Sequence, residues 1–300
     1  MIFINRNSDK IKTALDKHVN GLVDYVNKRL QKHGCNELRN EFTEEKIKEI
    51  LSTEPELICS KNSLLNQRLN LVLIDDYKSK ISKIFSYKAW IDVRENKKKY
   101  TAYSLAENLD IRTCTYCNRL YTKTVKGKKK KTTRPEFDHW FPKSEYPLYA
   151  LSFYNLIPSC HVCNSNVKGS LEFTTDDYIH PYIDKTNGIK FSYYNKKTDC
   201  YGFKILPSNE KEKKTIQALQ LEEIYKTHVD EIEDLVLIKK RYSESYINSL
   251  KSILKNSANK ISTDEIYRLA FGVHINEDEF HKRPLSKMKY DILKELEIIK

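Results

Sequence analysis

Two cysteine pairs, Cys114-x2-Cys117 and Cys160-x2-Cys163, constrain the possible folds of this chain more than any other feature. Each pair has the spacing that lets two thiolates reach one tetrahedral Zn2+ from a single turn. Forty-two residues lie between Cys117 and Cys160, so a shared ion closes one long loop. Four thiolates saturate the ion and leave no position for water, which makes this a structural site. A redox-active pair would stand alone in a thioredoxin-like context, and neither does. The remaining thiols, Cys35, Cys59 and Cys200, are scattered and read as packing residues.

The residues inside the loop have a different chemistry. Asp138-His139 follows an extended-looking segment, Asn155 lies further on, and Asn164 directly follows the last cysteine. A lone histidine is most often structural, but Asp138 supplies a hard oxygen suited to Mg2+ or Mn2+, and Asn164 can add a neutral one. An ion held there would stabilise a leaving oxygen while His139 deprotonates water. That division of labour suits phosphodiester hydrolysis.

Charge points to the same substrate class. The 300 residues carry a formal net charge of +12, which by itself fits either solvated lysine faces or a polyanion partner. Its distribution favours the second. Arg119, Lys123, Lys126, Lys128, Lys129, Lys130, Lys131 and Arg134 run up to the Asp-His pair with no acidic residue among them. Arg119, Lys128 to Lys131, Arg134 and Lys168 are therefore the nucleic-acid-binding candidates. For Lys168 a helix-surface role is equally open.

Hydrophobic residues at 39% and charged residues at 31% describe a globular chain. No apolar run approaches the length of a membrane span, and the start lacks a signal-peptide core, so a cytoplasmic location is expected.

Periodicity predicts helices at both ends. Ser8 caps the first, with Ile11, Leu15, Leu22, Val23, Val26 and Leu30 on its apolar face and Gly34 as its stop. A second begins after Thr43, and a long one runs from about Leu64 to Trp90. Lys97 to Lys99 form a polar break, and Tyr103 to Leu109 make one or two further turns. Leu120 to Val125 and Thr132 to Phe137 read as a hairpin turning at Lys126-Gly127-Lys128. Pro142 and Pro147 keep the next stretch irregular. Pro158 marks a helix start, which puts Asn164 and Lys168 on one helix face. Helical spacing returns from about Ser208 through Leu254, and a last helix runs from Ser286 to the end. The expected architecture is mainly α with a small α+β core. Helical regions at 1–100 and 201–300 flank a zinc-bound core at 101–200.

At the motif residues the chain resembles HNH endonucleases of the zinc-stabilised ββα-metal type. The resemblance rests on Cys114-x2-Cys117-Asn118-Arg119, Asp138-His139-Trp140-Phe141-Pro142-Lys143, Asn155-Leu156-Ile157-Pro158 and Cys160-x2-Cys163-Asn164-x3-Lys168-Gly169. It implies that His139 is the general base, that Asp138 and Asn164 hold the catalytic ion, and that Asn155 braces the loop carrying His139. Many members have His directly after the last cysteine. Asn164 there implies a preference for Mg2+ over softer ions. His161 reads as a surface or outer-layer residue.

The wider pattern, including Arg283-Pro284-Leu285-Ser286-Lys287, is similar to HNH proteins of bacterial anti-phage systems, such as Septu-type nuclease subunits that work beside an ABC-like ATPase. DNA is the expected substrate. RNA, for example tRNA, and a non-catalytic zinc-stapled nucleic-acid-binding subunit are the alternatives.

Overall fold

The chain was analysed as a computed structural model. The structure describes all residues except 69–73, 93–98, 128–130, 187, 199, 242–247, 250–251, 253–261 and 300. Among the described residues the architecture is mainly helical, with three small two-stranded antiparallel sheets. Buried apolar side chains from Met1 to Ile299 form one contiguous core cluster.

Helix α1 (Asp9–His33) begins where Ser8 Oγ accepts the Ile11 N–H, and Asp9 and Lys32 complement the helix dipole at its ends. Its buried stripe is Ile11, Ala14, His18, Leu22, Val23, Val26 and Leu30. Gly34 ends it in extended backbone, φ −80°, and not in the left-handed cap that glycine usually supplies. Glycine is needed there for space, because a Cβ would sit 2.5 Å from the Leu30 carbonyl oxygen. Helix α3 (Glu44–Ser52) starts at the Thr43 cap, as expected. The short α2 (Asn36–Glu41) precedes it.

The single helix expected from Leu64 to Trp90 is described in three segments, with residues 69–73 outside the described residues. They are α4 (Pro55–Arg68), α5 (Ile74–Ile84) and α6 (Tyr87–Ile91). Ser86 makes the last break. It leaves helical geometry at ψ 106° and its Oγ accepts the Ala89 N–H at 3.2 Å, so a local side-chain bond replaces helix continuation. Helix α7 (Ala102–Leu109) is closed at its start by a Thr101–Ser104 capping box.

The central strands also differ from expectation. β1 (Val125–Lys126) and β2 (Lys131–Thr133) form a hairpin, but Leu120 to Thr124 contribute only the isolated Thr113–Tyr121 bridge. Asp138 and His139 lie on β3 (Glu136–His139), which pairs with β4 (Leu156–Ser159). Pro158 is therefore a strand residue opposite Phe137, and its carbonyl accepts the Thr115 N–H at 3.2 Å. Lacking an N–H itself, it suits an edge strand. The helix after it begins only at Val162, and Val162–Lys168 is π-helical. Such wide turns cluster at functional sites.

A further hairpin, β5 (Lys190–Lys197) with β6 (Cys200–Leu206), has no counterpart among the sequence expectations. Helix α8 (Glu210–Ala218) follows it, and α9 (Leu221–Lys226) and α10 (Val229–Arg241) pack against β6. Then come α11 (Thr263–Phe271), a 3-10 helix (Glu277–Lys282) and α12 (Ser286–Glu295), which covers β5. α12 stops at Glu295, short of the chain end. The helix expected through Leu254 lies partly outside the described residues, as do Lys97 and Lys98. Cys35 is half-buried and packs against the core, as expected, whereas Cys59 and Cys200 are exposed and are not the packing residues expected.

Candidate active site and cysteine cluster

The first cysteine pair sits on a turn in which the Asn118 N–H donates to the Cys114 carbonyl at 2.8 Å and the Arg119 N–H donates to Cys117 Sγ at 3.4 Å. The second pair repeats the pattern, with the Cys163 N–H on Cys160 Sγ at 3.4 Å. All four sulfurs are buried within 4.8 Å of one another. Burial pushes the Cys114 thiol well above its ordinary value, while hydrogen bonds from the other three sulfurs push Cys117 down. A divalent cation held by Cys114, Cys117, Cys160 and Cys163 would resolve this competition by taking the place of the thiol protons. The donor set fits structural zinc.

Asn118 has a positive φ of 49° and ties this turn to the C-terminal region. Its Nδ2 lies 2.9 Å from Thr113 Oγ1, 3.1 Å from the Phe280 carbonyl oxygen and 3.3 Å from that of Arg283. Its carbonyl accepts the Leu285 N–H at 2.7 Å. Tyr225 Oη donates to the Cys117 carbonyl from the other side.

Asp138 is buried at the end of β3. Tyr116 Oη donates to its Oδ2 at 2.5 Å, and Lys168 Nζ lies 3.3 Å from Oδ2 and 3.4 Å from Oδ1. Burial raises the carboxyl above its usual range, against the pull of Lys168 and Tyr116. Lys168 is itself only 2% exposed, and its ammonium also donates to the His139 carbonyl at 3.0 Å. It is an internal cation, not the helix-surface lysine that was one of its two readings.

His139 is buried, with the Tyr87 ring edge-on at 4.6 Å between centroids. Its Nε2 lies 3.0 Å from the Ala150 carbonyl oxygen. A carbonyl only accepts, so Nε2 carries the proton and Nδ1 is the ring's acceptor. Nδ1 has no hydrogen-bond partner among the described residues. Burial, with Lys143 and Lys168 nearby, pushes the imidazole down to about 3, so it is neutral near pH 7.

The connection from β3 to β4 is fixed by Asn155. Its Oδ1 accepts the Phe141 N–H at 2.7 Å, and its Nδ2 donates to Phe141 and Tyr149 carbonyls at 3.1 and 3.0 Å. Its own carbonyl accepts the Trp140 N–H at 3.1 Å. This one carboxamide thus holds both ends of the segment that presents Ala150 to His139.

Asn164 Nδ2 donates to Glu136 Oε2 at 2.7 Å, and His161 Nδ1 donates to the other oxygen, Oε1, at 2.9 Å. Asn164 Oδ1 accepts no hydrogen bond among the described residues. Asp138, His139 and Asn164 line one open cleft of about 490 Å³, together with Glu136, Arg134 and Lys143. Its oxygen donors, Asp138 Oδ1 and Asn164 Oδ1, fit a hard divalent ion. Glu136 was not singled out from sequence. Its position two residues before Asp138 on a strand, hence on the same face, is the signal that could have found it.

The basic residues are less concentrated at the cleft. Arg134 lines it, with its guanidinium about as far from the Phe137 ring (5.7 Å) as from that of Tyr103 (5.8 Å). Arg119 remains at the first cysteine turn. Lys128, Lys129 and Lys130 lie outside the described residues, and Lys131 is on β2. Among the described residues, no helix is long and apolar enough to cross a membrane.

Two known proteins are similar to parts of the chain. Protein ea31 of Escherichia phage lambda is 45% identical over 51 residues, 16% of this chain and 17% of that protein. Septu protein PtuB of Bacillus thuringiensis is 28% identical over 126 residues, 41% of this chain and 42% of PtuB. The chain thus spans less than half the length of either relative. No protein-family model and no solved structure matches it.

Proposed function

We propose that this chain is a metal-dependent endonuclease of the HNH type that hydrolyses phosphodiester bonds, with DNA as substrate, and that it acts in anti-phage defence. The observation that carries the reading is the hydrogen bond from His139 to Ala150. It leaves a neutral imidazole with Nδ1 unprotonated, in a cleft shared with Asp138 and Asn164. His139 would take the proton of an attacking water at Nδ1. Lys143 and Arg134 would draw the phosphate in, and its negative charge would offset the cationic neighbours that depress the imidazole's basicity. Asp138 and Asn164 would hold the Mg2+ or Mn2+. Once bound, that ion supplies Lewis-acid stabilisation of the leaving oxygen. Asn155 keeps the His139 segment in register throughout. The partial similarity to a Septu protein supports the defence context. An ABC-like ATPase would be the partner, with the flanking helices as its docking surface.

One observation favours a second reading. The Asp138 carboxylate is already engaged by Tyr116 and Lys168, as in a zinc-stapled nucleic-acid-binding subunit that does not cleave. The two are separated by incubating wild type and His139→Ala with plasmid DNA and with total RNA, in Mg2+, in Mn2+ and in EDTA. The nuclease reading expects DNA cleavage by wild type, lost in EDTA and reduced about 10²–10⁴-fold in the variant. Cleavage that survives His139→Ala refutes the assigned base. Binding without cleavage by wild type, with its partner present, supports the second reading, and preferential loss of RNA moves the substrate to RNA.

A further inference from the structure

We infer that Asp264, His274 and Glu279 form a second metal site, for a borderline divalent ion, separate from both the cysteine cluster and the cleft. One donor atom from each residue lies within 4.8 Å of the other two. His274 is 8% exposed, and its Nδ1 is 2.8 Å from Glu279 Oε2 and 3.6 Å from Asp264 Oδ2. Despite this proximity the ring is turned so that Nδ1 makes no well-aligned hydrogen bond to either oxygen among the described residues. Donors about 2.0–2.2 Å from a common tetrahedral ion sit about 3.3–3.6 Å apart. The His274–Asp264 separation of 3.6 Å matches this. The 2.8 Å between His274 and Glu279 would have to widen by about 0.5 Å to admit an ion.

The outer contacts of the carboxylates support the same reading. Asp264 Oδ1 accepts the Ile275 N–H at 2.9 Å, which leaves Oδ2 turned toward the ring. Glu279 Oε1 accepts from Lys282 Nζ at 2.5 Å, which leaves Oε2 turned toward the ring. Each acid therefore has one oxygen fixed by the protein and one directed at His274, the arrangement that orients metal ligands. The two carboxylates outnumber the one ammonium of Lys282 beside them, so a divalent ion is electrostatically favourable. One nitrogen with two carboxylate oxygens suits Zn2+, Mn2+ or Co2+, in contrast to the all-sulfur site. Both carboxylates are about 30% exposed, which leaves room for water in the remaining positions.

The location gives the ion a structural task. It would clamp the first turn of α11 to the 3-10 helix Glu277–Lys282. That helix supplies the Phe280 carbonyl to Asn118 Nδ2 and the His281 carbonyl to Thr113 Oγ1, both at 3.1 Å. A metal here would thus stiffen the support on which the first cysteine turn rests.

The test is Co2+ uptake by the full-length protein prepared with zinc in the cysteine cluster alone, with weakly held zinc first removed by a mild chelator, followed by absorbance and metal analysis. Wild type should bind one equivalent more than His274→Ala, with weak d–d bands and no thiolate-to-cobalt charge transfer. Asp138→Asn should retain that equivalent, which separates it from any ion in the cleft. Asp264→Asn and Glu279→Gln, which keep shape and remove charge, should lose it as well and serve if His274→Ala misfolds. Equal uptake by wild type and these variants overturns the site.

Discussion

His139 donates its Nε2 hydrogen to the Ala150 carbonyl at 3.0 Å, so the orientation of the candidate base is set by a backbone atom eleven residues away in sequence. Ala150 is in turn held by Asn155, whose carboxamide bonds Phe141 and Tyr149. Asn155→Ala strands three buried backbone groups. The expected cost is about 2–4 kcal/mol of stability. Cleavage should fall by at least about 10²-fold, because small displacements of a catalytic group have effects of that order. Denaturant unfolding and a plasmid assay check this, and native stability with full activity would contradict the bracing role.

Lys168 and Asp138 form an ion pair with side chains only 1% and 4% exposed. Lys168→Met leaves a buried carboxylate supported by Tyr116 alone and should destabilise by about 3–5 kcal/mol. Adding Asp138→Asn removes the unpaired charge and should restore much of that loss. A double-mutant cycle measures the coupling, and strictly additive changes would show that the pair contributes nothing.

Glu136 accepts from both Asn164 and His161 near the mouth of the cleft. Glu136→Ala frees the Asn164 carboxamide to rotate. Cleavage should drop roughly 10–100-fold, as for other residues that orient metal ligands. Stability should move by no more than about 0.5 kcal/mol, since the Glu136 side chain is 39% exposed. An unchanged rate across a Mg2+ titration would remove Glu136 from the site.

Acid should destabilise the fold well before the carboxylates titrate. Burial pushes His18 and His281 down to about 4 and His139 to about 3, and holds His180 well below its ordinary value. The unfolded chain binds these protons near pH 6.5 and the folded chain does not. Stability is therefore full above about pH 7 and is lost as pH falls toward 4, by up to about 1.4 kcal/mol per pH unit for each histidine. Asp138 and Asp291, whose carboxyls burial raises, oppose this only at the acid end. Melting temperatures at pH 7.5, 6.5 and 5.5 should fall progressively, and a flat profile would rule out neutral buried histidines.

Zinc removal should unfold the central region and not merely inactivate it. Structural zinc sites contribute about 10–16 kcal/mol of apparent binding free energy to folding. Cys114→Ser should lose zinc and melt early, with near-ultraviolet dichroism collapsing together with metal content. A soluble, zinc-free variant with the wild-type melting temperature would refute the staple.

Much of this was legible in the sequence because it depends on local spacing. Two Cys-x2-Cys pairs place thiolates on turns without reference to the rest of the chain, and the structure buries all four sulfurs together. The caps Ser8 and Thr43 and the stripe along α1 follow from side chains three and four residues apart. The long helix expected through Trp90 failed at Ser86, where a residue tolerable in a helix instead capped a new one.

The partner of the Asp138–His139 strand was not legible. Basic and β-branched residues made the upstream segment look like that partner, whereas β4 pairs with β3 from across a long connection. Strand pairing depends on which apolar faces meet in three dimensions, and local propensity does not encode that choice. The same holds for Lys168, which spacing left open as a surface lysine. The π-helical turn carries it inward to Asp138.

The sequence by itself determined the two cysteine turns and the residue types available for chemistry, because cysteine spacing and side-chain identity are local properties. Only the tertiary structure decided which His139 nitrogen is free, what occupies Asp138, and that Glu136 joins Asn164. Those outcomes depend on burial and on hydrogen bonds between distant segments, whose energies exist only once water is excluded and the partners are brought together.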